Sequence, residues 1–330
     1  MSYTHLTAFE RGQIQALLEE GRSVNHIARG LRRSPSTVSR EMRRNRTPHG
    51  YDAQKAQQRY QTRRKDCRPA RKLEHRPMWD YVVEKLPLYW SPQQVAGRLP
   101  LDYPQDPHMR ISHETLYRAL YSDERLAPLI ACLRQARPKR RNRGQGKSQR
   151  CIIPQRTSIH DRPPQVQQRS RFGDWEGDLV MGKNQQGAVV SLVGRKSLML
   201  LARKVRSKRS EEVVSAIIAA MEDLPASWAR TVTFDNGSEF YHHQRITTEL
   251  GVATYFADPY AAYQRGTNEN TNGLLRQYLP KGMDFEALTQ RQLDAIVDEL
   301  NNRPRKTLGY RSPYEVLQTY RQKSIVALRP

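Results

Sequence analysis

Three acids in the carboxy-terminal half stand in settings that would bring them together. Asp178 lies inside the run Asp174-Trp175-Glu176-Gly177-Asp178-Leu179-Val180-Met181, Asp235 ends Thr231-Val232-Thr233-Phe234-Asp235, and Glu269 falls in a helical stretch. Both runs read as β-strands. If the two strands are neighbours in a sheet, the aspartates meet at one edge and Glu269 leans over them from the following helix. Hard divalent cations take carboxylate oxygens, and three converging acids leave coordination positions open for water and phosphate. Two ions about 3.5–4 Å apart would activate an attacking oxygen and stabilise a leaving one in an in-line displacement at phosphorus. Period two places Asp174, Glu176 and Asp178 on one strand face, so spacing alone does not choose among them. Glu239, four residues after Asp235, is a further acid at a helix start. His242 and His243 invite a metal reading, but hard-metal phosphoryl transfer prefers oxygen, and an exposed helix face suits them better.

The surrounding elements form a recognisable frame. Residues 187–193 and 198–205 read as two more strands after the first. Ser210-Glu211-Glu212 opens a helix with Val213, Val214, Ile217, Ile218, Met221 and Leu224 on one face. A helix across 241–250, a strand at 253–257 and a helix resuming near Thr267 follow the Asp235 strand. Three meandering strands, then alternating helices and strands, predict an α/β domain with a mixed sheet.

The amino-terminal part reads differently. Thr7-Ala8-Phe9-Glu10 fits a capping box, and the helix it opens carries Ile14, Leu17 and Leu18 and ends near Gly21. Ser23 caps a second helix, and Ser34 with Pro35 starts a third. Val38 and Met42 of that third helix face its neighbours, whereas Ser36, Thr37, Ser39, Arg40 and Arg43 face outward. Three short helices with a polar, basic last helix make a helix-turn-helix, whose hydroxyls and guanidiniums reach base edges in a major groove. Residues 1–65 are assigned to this DNA-binding domain, ending in a basic helix over 51–66. Residues 66–133 form a second helical region, read as a further helix-turn-helix from the starts Ser91-Pro92 and Ser112-His113. A basic linker, 134–171, follows, in which Asp161 is the only acid, and it suits a phosphate backbone. The catalytic α/β domain spans 172–322.

Composition agrees with a nucleic-acid partner. The 330-residue chain carries a net charge of +23, and 37% of it is apolar, enough for a core. No run of 18 apolar residues spans a bilayer, and the start of the chain lacks the layout of a secretory signal. Cys67, Cys132 and Cys151 are odd in number and far apart, which predicts reduced thiols rather than a disulfide or zinc frame.

The acids sit in long motifs. Trp175-Glu176-Gly177-Asp178-Leu179, Thr233-Phe234-Asp235-Asn236-Gly237-Ser238-Glu239-Phe240 and Gln264-Arg265-Gly266-Thr267-Asn268-Glu269-Asn270-Thr271-Asn272-Gly273-Leu274-Leu275-Arg276 closely resemble the insertion-sequence-thirty family of bacterial transposases. So does the tail Asn301-Asn302-Arg303-Pro304-Arg305 through Tyr310. The likeness runs over nearly the whole chain, with 33 residues between Asp235 and Glu269 as in the family pattern. The resemblance implies an RNase H-like domain with a mixed five-stranded sheet and flanking helices, and an Asp-Asp-Glu triad at Asp178, Asp235 and Glu269 holding two Mg2+ ions, or Mn2+ in their place. It implies double-stranded DNA as partner: the terminal inverted repeats of an element and its target, cut and joined without a covalent protein–DNA intermediate. Pairing two element ends predicts a homodimer or higher oligomer on DNA, in the bacterial cytoplasm at the nucleoid, with no membrane partner. Ala261-Ala262-Tyr263 departs from the family's Ser-Pro-Trp, and Gly194 from a common acid. Among basic residues outside the helix-turn-helix, Arg276 and Lys281 are taken as DNA contacts, Arg303 and Arg305 as phosphate contacts on charge alone, and Asn268 and Asn272 as candidates by helical spacing. The competing readings are a non-enzymatic DNA-binding regulator and a nuclease that never joins strands.

Overall fold

The computed structural model describes residues 4–66, 72–134, 153–259 and 261–327. Cys67, Cys151, Tyr260 and the linker cations between 135 and 152 lie outside the described residues. The chain folds as two compact units, residues 1–74 and 75–330.

The first unit opens with α1 (Ala8–Glu19), α2 (Val24–Gly30) and α3 (Pro35–Asn45), followed by a hairpin of β1 (Arg46–Thr47) and β2 (Gly50–Tyr51) and by α4 (Ala53–Asp66). Thr7 and Glu10 form the anticipated reciprocal capping box, and Gly21 supplies the left-handed turn after α1. Ser23 caps α2. Ser34 occupies the cap position of α3, but its hydroxyl meets Ser36 Oγ at 2.8 Å and caps no backbone N–H, contrary to expectation. Leu6, Ile14, Ile27, Ala28 and Val38 form the core. Arg11 is buried in it, donating to Glu41 at 2.7 Å and to Gln57 at 2.7 Å, and lies over the Tyr60 ring. One guanidinium thus ties α1 to α3 and α4. Two-residue strands show no alternation, so the hairpin is not readable from sequence.

The second unit begins with α5 (Arg76–Lys85), α6 (Pro92–Asp102) and α7 (His113–Ser122). Ser91 and Ser112 cap α6 and α7 as read from sequence. A short α8 (Pro164–Gln168) leads into β3 (Asp174–Met181), β4 (Ala188–Gly194), β5 (Leu200–Val205), α9 (Ser210–Met221), β6 (Thr231–Phe234), α10 (Gln244–Leu250) and β7 (Ala253–Phe256). The helices α11 (Gly266–Tyr278), α12 (Gln290–Asn302) and α13 (Pro313–Ala327) complete it. Helix α6 is tied to the last helices: Arg98 forks onto Glu315 of α13 with two bonds of 2.6 Å, and Gln94 meets Arg303 and the Pro304 carbonyl.

The sheet order is β5-β4-β3-β6-β7, with β4 antiparallel to its neighbours and β3, β6 and β7 parallel. This is the expected RNase H-like arrangement of a mixed five-stranded sheet with helices on both faces. Alternation splits β4 between them. Ala188, Val190 and Leu192 join Val213, Val214, Ile217 and Ile218 of α9, whereas Val189 and Val193 join Leu274 and Leu275 of α11 and Leu293 and Leu300 of α12. On β3 the same rule sends Trp175 to the α9 side and leaves Asp174, Glu176, Asp178 and Val180 toward α11. Gly177 lies against Phe234, where a Cβ would collide with the ring. Only glycine lets β3 and the Phe234 side chain approach there.

Candidate active site

Parallel pairing sets Glu176 opposite Thr233 in β3 and β6. Two residues further along stand Asp178, still within β3, and Asp235, just past the end of β6, so the register brings them close. Both are bound by one guanidinium: Arg265 lies 2.9 Å from Asp235 Oδ2 and 3.5 Å from Asp178 Oδ1, and donates to the Gly177 carbonyl at 3.0 Å. Asp178 Oδ2 also accepts from Asn272 Nδ2 at 2.7 Å, and Asn272 Oδ1 accepts from Ser191 on β4 at 2.9 Å. Asp235 Oδ1 accepts the Gly237 N–H at 3.1 Å. Burial raises the Asp178 carboxyl above its usual range, the Asp235 charge adds to this and Arg265 opposes it. Glu239 is raised too, by burial first and then by the charges of Asp235 and Asp178. Its carboxylate folds back over Gly237, where a Cβ would strike it.

Glu269 is exposed on the first turn of α11, one turn after Arg265. Among the described residues no group of three or more His, Cys, Asp or Glu converges as a metal site. The structure therefore brings together Asp178 and Asp235 and leaves Glu269 outside the pair. Two oxygen donors already sharing a single cationic partner have the chemistry that a hard divalent ion requires.

The remaining acids of β3 are interior. Asp174 is bound by Arg171 at 3.0 Å and by Thr231 Oγ1 at 2.9 Å. Glu176 is fully buried, paired with Arg195, and accepts the Asn268 backbone N–H at 2.9 Å. A carboxylate two residues before Asp178 thus holds the first turn of the helix that carries Glu269. Arg195 also donates to the Val166 carbonyl at 3.0 Å.

The other sequence candidates divide. Ser36, Ser39, Arg40 and Arg43 are exposed on α3 and Thr37 is half-buried; Arg40 also donates to the Ser36 carbonyl at 3.1 Å. Asn268 is buried and Asn272 holds Asp178, so both serve the interior of the site. Arg276 is half-buried, donating to the carbonyls of Met181 at 2.8 Å and Leu279 at 3.3 Å. Lys281 is exposed. Arg303 and Arg305 are buried, contrary to the reading from charge: Arg303 meets Gln94 and Gln277, and Arg305 donates to the Leu300 carbonyl. Sequence reasoning passed over Arg265, although it stands in the longest motif, because a cation among metal-binding acids has no periodic signature.

The exposed helix face expected for His242 and His243 does not hold: His242 is half-buried and His243 buried. His243 Nδ1 lies 2.8 Å from Thr254 Oγ1 and its Nε2 3.1 Å from the Pro154 carbonyl. Burial lowers its pKa below the ordinary 6.5, so the fold holds the neutral ring. The unfolded chain then binds the extra proton. His243 contributes stability that is present above about pH 6.5 and is lost as pH falls through the folded pKa. The melting temperature is expected to fall by a few degrees more between pH 7.5 and 5 in the wild type than in His243→Gln, and equal slopes would remove His243 as the cause.

A helix-turn-helix domain model matches residues 2–45. The chain is 44% identical over 320 residues to the transposase for insertion sequence element IS1086 of Cupriavidus metallidurans, covering 96% of this chain and 94% of that one. It is 40% identical over 320 residues to transposase InsI for insertion sequence element IS30C of Escherichia coli strain K12, covering 95% and 83%. It is 35% identical over 325 residues to the transposase for insertion sequence element IS4351 of Bacteroides fragilis, covering 98% of both. Among solved structures, the catalytic core domain of BIV integrase is similar at 19% identity and a TM-score of 0.36, over 46% of this chain and 98% of that one.

Proposed function

The chain belongs to the IS30 family of insertion-sequence transposases, and from that premise we propose that it binds the terminal inverted repeats of its element, cleaves at the element ends and transfers the freed 3′-hydroxyl strand into target DNA. The observation that carries this reading is the pair Asp178 and Asp235, one in β3 and the other just past the end of the adjacent parallel β6, sharing one cationic partner. Asp178, Asp235 and Glu269 would hold Mg2+, with Mn2+ able to take its place. Bound metal supplies Lewis-acid stabilisation of charge at the reacting phosphate. The protein's own groups do the rest. Asn272 fixes the Asp178 carboxylate, and Glu176 fixes the helix turn that presents Glu269.

In the first step water attacks the phosphorus at an element end, the P–O3′ bond breaks and the 3′ oxygen leaves as a hydroxyl. In the second, that hydroxyl attacks a target phosphodiester while the target's own 3′ oxygen leaves. One bond forms for each broken, so no energy carrier enters. Helix α3 would lie in the major groove of the repeat, with Ser36, Thr37, Ser39, Arg40 and Arg43 toward the bases and backbone. Lys281 is a candidate phosphate contact, whereas the internal bonds of Arg276 favour a role in holding α11. Pairing of two ends calls for at least two copies on DNA, and the working place is the bacterial nucleoid.

The test is nicking and joining of a labelled element-end duplex in Mg2+ and in EDTA. Mg2+-dependent nicking followed by joining is expected. Binding without nicking would favour the DNA-binding regulator. Nicking with no joining, even from a pre-cut 3′-hydroxyl end, would leave a nuclease. Residues 1–74 form their own compact unit. Deleting them is expected to lower preference for the repeats over random duplex by about a thousandfold while leaving the melting transition of residues 75–330 in place. Selective binding by the truncated chain in a gel-shift competition would overturn that division of labour.

A further inference from the structure

Beside the first turn of α11 lies an open groove of about 470 Å³, walled by Arg162, Arg169, Arg195, Glu176 and Gly266, with Tyr263 at its rim. Its charges do not balance. Arg195 is compensated by Glu176. Arg162, only 9% exposed, donates to Thr233 Oγ1 at 3.0 Å and to Gln167 Oε1 at 2.7 Å, both neutral. Arg169 donates to Thr267 Oγ1 at 3.0 Å, again neutral. Buried charges are ordinarily paired, because an unpaired one forfeits hydration without recovering it. Desolvation, reinforced by the nearby Arg195 and only partly opposed by the charges of Glu176 and Asp174, pushes Arg162 down to about 10. Arg303 is buried more deeply still among neutral partners, but Arg162 opens on a groove that a ligand can enter. Tyr263 at the mouth is 81% exposed, so its ring is open to a partner.

We propose that this groove binds one phosphodiester of a DNA strand, held by the guanidiniums of Arg162 and Arg169, with an adjoining base stacked on Tyr263. The chemistry matches: guanidinium forks suit phosphate oxygens, and an exposed aromatic ring accepts any unpaired base. Thr233, which holds Arg162, lies two residues before Asp235, and Gly266 lies three before Glu269, so the strand would be steadied beside the acids. This subsite rests on the transposase reading given above.

The test uses the full chain and a single-stranded oligonucleotide of arbitrary sequence carrying 5-iododeoxyuridine. Irradiation and peptide mass spectrometry locate the crosslink, and binding is titrated against salt. The expected result is a crosslink on Tyr263. Arg169→Gln should lower the slope of log affinity against log salt by about one, and Tyr263→Ala should weaken binding about tenfold. Arg162→Gln should act like Arg169→Gln. Should it fail to fold, the exposed Arg169 and Tyr263 variants decide the matter. Crosslinks confined to other peptides, with an unchanged salt slope in Arg169→Gln, would overturn the subsite. If the wild type nicks and joins ends while these results are negative, the subsite alone fails. If the wild type neither nicks nor joins, the transposase reading itself fails.

Discussion

Asp178→Asn, Asp235→Asn and Glu269→Gln should each reduce nicking and joining of element-end DNA by at least about a thousandfold, because Lewis-acid stabilisation worth several kcal/mol is lost. Binding to the same duplex should persist, since α3 belongs to the other compact unit. Each substitution preserves shape and removes charge, which separates chemistry from packing. The Asp178 change adds a sharper contrast. Burial works against the ionised Asp178 carboxylate, and Asn can keep an oxygen for Asn272. The metal-free variant should therefore melt at or above the wild-type temperature while its activity is gone. A protein that loses activity without losing stability has lost a reacting group rather than a fold. Wild-type nicking rates in any one variant would remove that residue from the site. Loss of activity together with a large fall in melting temperature would make the residue structural.

The strands were legible in the sequence: β4, β6 and β7 read as short, largely apolar runs, β3 as an alternating one, and all four stand within one or two residues of their expected ends. Capping residues marked α1, α2, α6 and α7. The pairing of β3 with β6 was a condition the sequence left open, since neighbours in a parallel sheet are distant in the chain. Polar residues on the α11 face were the least legible. Asn268, Asn272 and Arg276 follow the spacing of a solvated helix surface, yet all three turn inward, because Ser191 meets both asparagine side chains, Asp178 accepts from Asn272 and the Met181 carbonyl accepts from Arg276. Arg303 and Arg305 went the same way, for want of any periodic sign that Gln94 and Gln277 would hold the first and the Leu300 carbonyl the second. Apolar periodicity marks a core that excludes polar groups, and it cannot mark one built from them.

Glu176 and Arg195 make that buried polar core testable. Arg195→Met should destabilise residues 75–330 by about 3–5 kcal/mol, because the Glu176 carboxylate would stay buried with its cation gone. In a unit of this size that corresponds to a fall of about 10 °C in melting temperature. Glu176→Gln should cost a similar amount by stranding Arg195, while keeping an oxygen for the Asn268 N–H. The double variant Glu176→Gln/Arg195→Met leaves neither charge unpaired, so it should recover more than half of the loss. Nicking should follow the same order, because the Asn268 N–H fixes the turn that carries Glu269, and that tether survives in the double variant. Additive losses in the cycle would mean that the two charges act independently. Recovery of stability without recovery of nicking would mean that the carboxylate of Glu176 serves the reaction directly, by its charge, and not only by holding the first turn of α11 against the sheet.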